Sequence, residues 1–280
     1  MTAASGGPVA GDGSVGPLVV VTGWTAAGKS TLVDVLAGAG LRRVAGSAVL
    51  LPMLAEVVPD KVTRLRSWLC DPAAGLLRDG GTDRLADLAV LRSVTDRPGG
   101  VVVESAGSVP LLLSPYNDAL VIRLAASAAV RADRVRRLLG GTVTRAEAAR
   151  IVQRKDASTA SACLAAWGLD LYDATHQRRY DLMLCCPDED ACTDPGQCVQ
   201  AVTAVADAAC RVCCCYLAAD NGAATAAVAA LTATVRQYQP WVTWICPTLT
   251  NAAEVSRQRW RDRLAYHTAP AELPRMGASC

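Results

Sequence analysis

Two stretches of the chain are apolar almost without a break: Leu18 to Thr22, Leu-Val-Val-Val-Thr, and Val101 to Glu104, Val-Val-Val-Glu. Unbroken β-branched runs of this length predict strands buried on both faces, the pattern of a parallel sheet covered by helices. Further strands are predicted over 41–45, 119–124 and 180–185. Between them the apolar spacing lengthens to that of helices. Residues 31–36 leave the first strand as an apolar-rich helix, and Leu85, Leu88, Ala89 and Leu91 mark another over 83–94. An arginine-rich helix follows the strand at 119–124 and breaks at Gly140-Gly141, after which Thr144 and Glu147 form a capping box for the next helix. A further helix is expected over 195–210. Residues 47–58 read as a helix disturbed at Pro52, and 59–81 as mixed structure. Strands alternating with helices predict an α/β fold with a parallel sheet sandwiched by helices.

The two ends differ from this middle. Residues 1–17 are rich in Gly, Ser, Pro and Ala and are expected to be disordered. From 211 onward the pattern suggests a strand over 211–218, a helix over 223–238, a strand over 240–247 and a basic helix opened by Asn251 and Glu254. That is a C-terminal β-α-β-α extension. The chain thus divides into 1–17, a main domain over 18–211, and an extension over 212–280.

Immediately after the first apolar run stands Gly23-Trp24-Thr25-Ala26-Ala27-Gly28-Lys29-Ser30-Thr31. This fits the phosphate-loop pattern of Gly, four residues, Gly-Lys and Ser or Thr, in its required setting between a strand and a helix. The glycines let successive backbone N–H groups turn toward one phosphate, and the helix N-terminus adds the positive end of its dipole. Lys29 is expected to reach the terminal phosphates of ATP, and the Ser30 hydroxyl to sit on Mg²⁺. The fold expected is therefore that of the P-loop NTPases. Glu104 ends the second apolar run, at the sheet edge where ligands of such folds bind. It is a second candidate for Mg²⁺, held through water, or else it orients the acceptor.

Composition narrows the partners. Lys+Arg 28 against Asp+Glu 26 gives a formal charge of +2, without the basic excess of a nucleic-acid binder. Residues 1–17 lack the basic and apolar segments of a signal peptide, and no apolar run has membrane-spanning length. A soluble, cytoplasmic protein with no nucleic-acid or membrane partner is expected. Twelve cysteines and no phenylalanine are unusual. No paired Cys-x-x-Cys is present, so cysteine is read as a small apolar core residue. A zinc site would have to use Cys185, Cys186, Cys192 and Cys198.

Further segments carry a likeness. They are VVVESAG at 101–107, VIRLAASAAVRADRVRR at 121–137, TRAEAARIVQRKDAS at 144–158, and Trp167-Gly168-Leu169-Asp170 followed by Tyr180-Asp181-Leu182. In this order, after the phosphate loop, they resemble the cytidylate-kinase-like branch of the nucleoside monophosphate kinases, over about three quarters of the chain. The resemblance implies transfer of the terminal phosphoryl group of ATP, with an arginine-rich lid segment spreading positive charge over it. Arg131 and Arg134, one turn apart, are the catalytic candidates beside Lys29 and Glu104; Arg154 is a further candidate for the nucleotide. The acceptor side departs from the family. Ala48-Val49-Leu50-Leu51-Pro52-Met53 and Ala106-Gly107 stand where arginines grip an acceptor phosphate, and Asp156 is followed by Ala157-Ser158-Thr159 where an arginine is expected. Arg42 and Arg43 could substitute. The reading is an ATP-dependent phosphotransferase acting on a small-molecule acceptor, with a hydroxyl compound preferred. The alternatives are a genuine cytidylate kinase acting on CMP and a nucleotide-binding regulatory protein without turnover.

Overall fold

The computed structural model describes residues 16–48, 69, 80–94, 100–113, 119–186, 195–217 and 221–245. Along these run β1 (Leu18–Thr22), α1 (Lys29–Gly38), β2 (Arg42–Ala45), α2 (Gly80–Ser93), β3 (Val101–Glu104), α3 (Val109–Leu113), β4 (Ala119–Ala126), α4 (Ala128–Leu138), α5 (Arg145–Trp167), β5 (Leu182–Cys186), α6 (Pro195–Leu217), α7 (Asn221–Gln237) and β6 (Val242–Ile245). Most of the helix expected over 47–58, the mixed segment that follows it and the basic helix after 251 lie outside the described residues, as do residues 1–15.

The strands form one sheet in the order β2-β3-β1-β4-β5-β6, parallel except for β6, which pairs antiparallel with β5. This is the P-loop NTPase fold. Alternation along each strand builds two cores. Val19, Val21, Val102, Leu120, Ile122, Leu124, Leu182 and Leu184 face α1, α6 and α7. Leu18, Val20, Val101, Val103, Ala119 and Val121 face α2, α3 and α5. Because β1 lies between β3 and β4, the loop that follows it opens where the chain turns to opposite sides of the sheet, the position at which ligands bind in such folds.

The C-terminal block differs from expectation. Residues 211–217 are not a strand: α6 runs unbroken to Leu217, so the boundary placed between 211 and 212 falls inside a helix. Cys213-Cys214-Cys215 has local strand character, but Ala201, Val205, Ala209 and Val212 form a buried helical stripe, the last three within the core, and that burial decides. The helix at Asn221–Gln237 is observed, and the following strand joins the main sheet rather than a separate lobe. Among the described residues no helix is long and apolar enough to cross a membrane. Cys163 and Cys210 pack within the two cores, as small apolar residues do.

Just before β5, the buried Asp181 serves as a hinge pin for the sheet. Its Oδ2 accepts the Val121 N–H at 2.7 Å while its own N–H donates to the Val121 carbonyl at 2.8 Å. Asp181→Ala would strand the Val121 N–H between strands. A loss of about 2–3 kcal/mol in urea unfolding is expected; a change below about 0.5 kcal/mol would remove this role from the carboxylate.

Candidate functional site

The loop between β1 and α1 is shaped by its glycines. Gly23 has φ 146°, and a Cβ there would lie 2.3 Å from the Leu124 carbonyl oxygen, so no side chain fits. Gly28, at φ 104°, is the N-cap of α1 and supplies no side-chain cap, which leaves the first N–H groups of the helix directed outward. Ala26 also takes a left-handed φ of 60°. Lys29 folds over the loop and donates to the carbonyls of Gly23 at 2.9 Å and Trp24 at 3.0 Å. Enclosure inside the loop pushes its pKa down to about 8; the carboxylates of Glu104 and Asp156 oppose that shift and Arg131 adds to it.

The two Mg²⁺ candidates meet. Parallel pairing sets Glu104 opposite Val21, and Ser30 Oγ donates to Glu104 Oε1 at 2.6 Å. A hydroxyl and a carboxylate side by side are hard oxygen donors of the kind Mg²⁺ takes beside nucleotide phosphates, so the residues present fit the ion. Arg43 Nη2 donates to the other oxygen, Oε2, at 2.7 Å, and the same guanidinium is paired with Asp34.

The two lid arginines also converge on the loop. Arg131 Nη1 donates to the Thr25 carbonyl at 3.3 Å, and Arg134 Nη1 to the Ala26 carbonyl at 3.0 Å. Ser127 caps α4 and sets where both begin. Arg131 is also paired with Asp156 of α5, whose Oδ1 accepts the Thr25 N–H at 3.0 Å. Asp156 is 7 % exposed, in the same stripe of α5 as Ala148, Ile151, Val152, Thr159 and Cys163. A charged residue in the middle of an apolar helical stripe was the available signal for it, and the sequence reading gave it no role. Arg154 is exposed and stands about 200° round the helix from Asp156, away from the loop.

A cavity of about 610 Å³ lies on the other side of the loop. Residues 26–32, Arg134, Arg137 and Leu138 line one wall, and Leu184, Cys198, Val199 and Val202 the other. Across the sheet, Trp24 stacks on Tyr172 with ring centroids 5.2 Å apart. The Arg123 guanidinium lies 6.0 Å from the Trp24 ring and 5.0 Å from that of Tyr180, whose hydroxyl accepts its Nη1 at 3.0 Å. Sequence reasoning missed Arg123 because its neighbours on β4 are those of a buried strand. Of the two substitutes considered for the acceptor, Arg42 donates to the Ser93 carbonyl at 2.7 Å, while Arg43 joins Glu104. Of the segment 47–56, expected to line the acceptor, residues 49–56 lie outside the described residues, as does Cys192.

No protein-family model matches the chain, and no curated protein does. Solved structures similar to it include an uncharacterized protein from Eubacterium ventriosum (12% identity, 64% of this chain and 94% of that one, TM-score 0.41). They also include a shikimate kinase from Bacteroides thetaiotaomicron (16%, 68% and 98%, TM-score 0.39) and TT1252 from Thermus thermophilus (15%, 69% and 97%, TM-score 0.40). Likeness of this degree carries no argument, and the fold rests on the strand order and the loop.

A lysine with a depressed pKa that meets a phosphate regains its proton. Between about pH 8 and 9, ATP binding should therefore take up protons, read as a binding enthalpy that varies with the ionisation enthalpy of the buffer. Affinity should fall as pH rises through about 8. Lys29→Arg, which cannot titrate there, should lose the proton uptake. Equal uptake in the variant would assign the proton to another group.

Proposed function

We propose that this protein is an ATP-dependent phosphotransferase acting on a small-molecule acceptor. The observation that carries the reading is the convergence of Arg131 and Arg134 on the carbonyls of the loop that also holds Lys29. A site that only binds a nucleotide needs the loop and Lys29. Two further guanidiniums over the same loop suit a reaction in which charge spreads across a transferring phosphoryl group.

The roles follow from position. Loop N–H groups and Lys29 bind the β- and γ-phosphates. Ser30 and Glu104 would hold Mg²⁺, which would supply charge neutralisation for the phosphates. Arg131 and Arg134 stabilise the transferring group, and Asp156 positions Arg131. The cavity beside Arg137 and Val199 takes the nucleoside. Glu104, beside the Ser30 hydroxyl, is placed for the metal. The acceptor approaches from the Trp24 side, where Trp24 and Tyr172 offer aromatic surface to a small hydroxyl compound. The cytidylate-kinase reading has Arg123 in its favour, a cation on that same side.

An ATP-consumption screen across nucleoside monophosphates, nucleosides and small hydroxy compounds tests this. A hydroxy compound should stimulate turnover more than CMP, UMP or AMP. Lys29→Ala should abolish it, and Arg134→Ala should lower kcat by about a hundredfold. Efficient use of CMP at sub-millimolar concentration would restore the cytidylate-kinase reading. Tight ATP binding with no acceptor-stimulated turnover would leave a nucleotide-binding regulator.

A further inference from the structure

We propose that Arg43 is a built-in counter-cation that competes with Mg²⁺ for Glu104, and so sets how strongly metal and nucleotide binding reinforce each other. The inference rests on the assignment of Ser30 and Glu104 to the metal. Strand parity brings the groups together. Arg43 pairs with Val102 and Ala45 with Glu104, so Arg43 and Glu104 share the sheet face covered by α1. On α1, Ser30 and Asp34 are one turn apart and face the same way. The four side chains form one chain of contacts: Ser30 to Glu104 Oε1 at 2.6 Å, Glu104 Oε2 to Arg43 at 2.7 Å, and Arg43 to Asp34.

The hydroxyl of Ser30 does not compete with a metal. Having donated its proton to Glu104, its oxygen keeps lone pairs for an ion. Arg43 does compete. A metal-bound water donates to the same carboxylate, and the guanidinium both occupies Oε2 and cancels the charge that draws the cation in. The Glu104 side chain is 12% exposed, so solvent screens this contact less than it screens Asp34, at 62%. Asp34 is the second anchor. It gives the guanidinium somewhere to stay when it yields Glu104, so the exchange is a shift along one short row and not the release of a free arginine. Arg42, the adjacent cation, points to the other face and donates to the Ser93 carbonyl, which makes it an internal control of equal charge.

The measurement is calorimetric binding of ADP to the full chain, with saturating Mg²⁺ and with chelator; the ratio of the two Kd values is the coupling. A unit charge acting over about 6 Å, between water-like and half-screened conditions, is worth about threefold to tenfold in affinity. Arg43→Gln should raise the coupling by that factor. Arg43→Lys, which keeps the charge, should stay near wild type, and Arg42→Gln should leave it unchanged. Asp34→Asn, which leaves Arg43 to Glu104 alone, should lower it. Wild-type coupling in Arg43→Gln, or an equal rise in Arg42→Gln, would overturn the proposal while leaving the nucleotide site intact. Failure of the wild-type chain to bind ADP in either condition would instead overturn the reading of the site itself, and this proposal with it.

Discussion

A buried carboxylate fixes the site. Asp156 accepts the backbone N–H of Thr25 on one oxygen and the guanidinium of Arg131 on the other. Burying an ion pair is costly unless hydrogen bonds satisfy its remaining lone pairs and donors. Here Arg131, though its buried Nε is left without a partner, donates as well to the Thr25 carbonyl, so the loop peptide, the lid helix and α5 close a small ring of charge-assisted bonds. None of the three can move far without leaving a buried charge unpaired. The loop therefore keeps its shape through partners distant in sequence as well as through its own glycines.

That ring needs α5 in register with the loop, and the helix is held at both ends. Its start is fixed by a capping box in which Thr144 and Glu147 exchange hydrogen bonds. Within the next two turns, Ala148, Ile151 and Val152 pack on Ala132 and Val135 of α4, forming a small core of their own. Farther along, Cys163 enters the main core and the Trp167 indole donates to Asp87 of α2 at 2.8 Å. The lid is thus continuous with one face of the sheet, and Arg131 and Arg134 inherit their placement from packing, not from surface ion pairs.

How much of this was legible in the sequence follows from how local each signal is. β1, the loop and β3 were readable because an unbroken valine run and a glycine pattern need no distant partner to interpret. Ser30 and Glu104 were legible as a pair because β1 and β3 each end at the same sheet edge, although which strands neighbour each other is not written in either. Arg131 and Arg134 could be placed on one helix face by spacing alone, but not Arg154, whose helix presents Asp156 to the loop and turns residue 154 outward. Asp156, Arg43 and Arg123 act through residues 131, 61 and 57 positions away, respectively. Nothing nearby marks such pairings. The strand expected at 211–218 failed for the converse reason: a short cysteine run was read locally, while the buried stripe that makes it helical begins before it at Ala201.

The charges around the loop share one property: each already has partners within the chain. Lys29 is bonded to two carbonyls, Arg131 to Asp156 and Thr25, Arg134 to Ala26, and Glu104 to Ser30 and Arg43. A phosphate arriving here would exchange one set of partners for another and would not first have to order mobile side chains. Exchange of that kind keeps the entropic cost of binding low, because the long side chains have lost their freedom on folding. It also leaves net positive charge at the loop: Lys29, Arg131, Arg134 and Arg43 outnumber Glu104, Asp156 and Asp34. The excess is small enough for the fold to tolerate, because each buried charge is paired or hydrogen-bonded, Arg131 through Nη1 although its Nε is not. It is placed at the one point where backbone N–H groups and a helix N-terminus add to it, and an anion gains most from meeting all of these together.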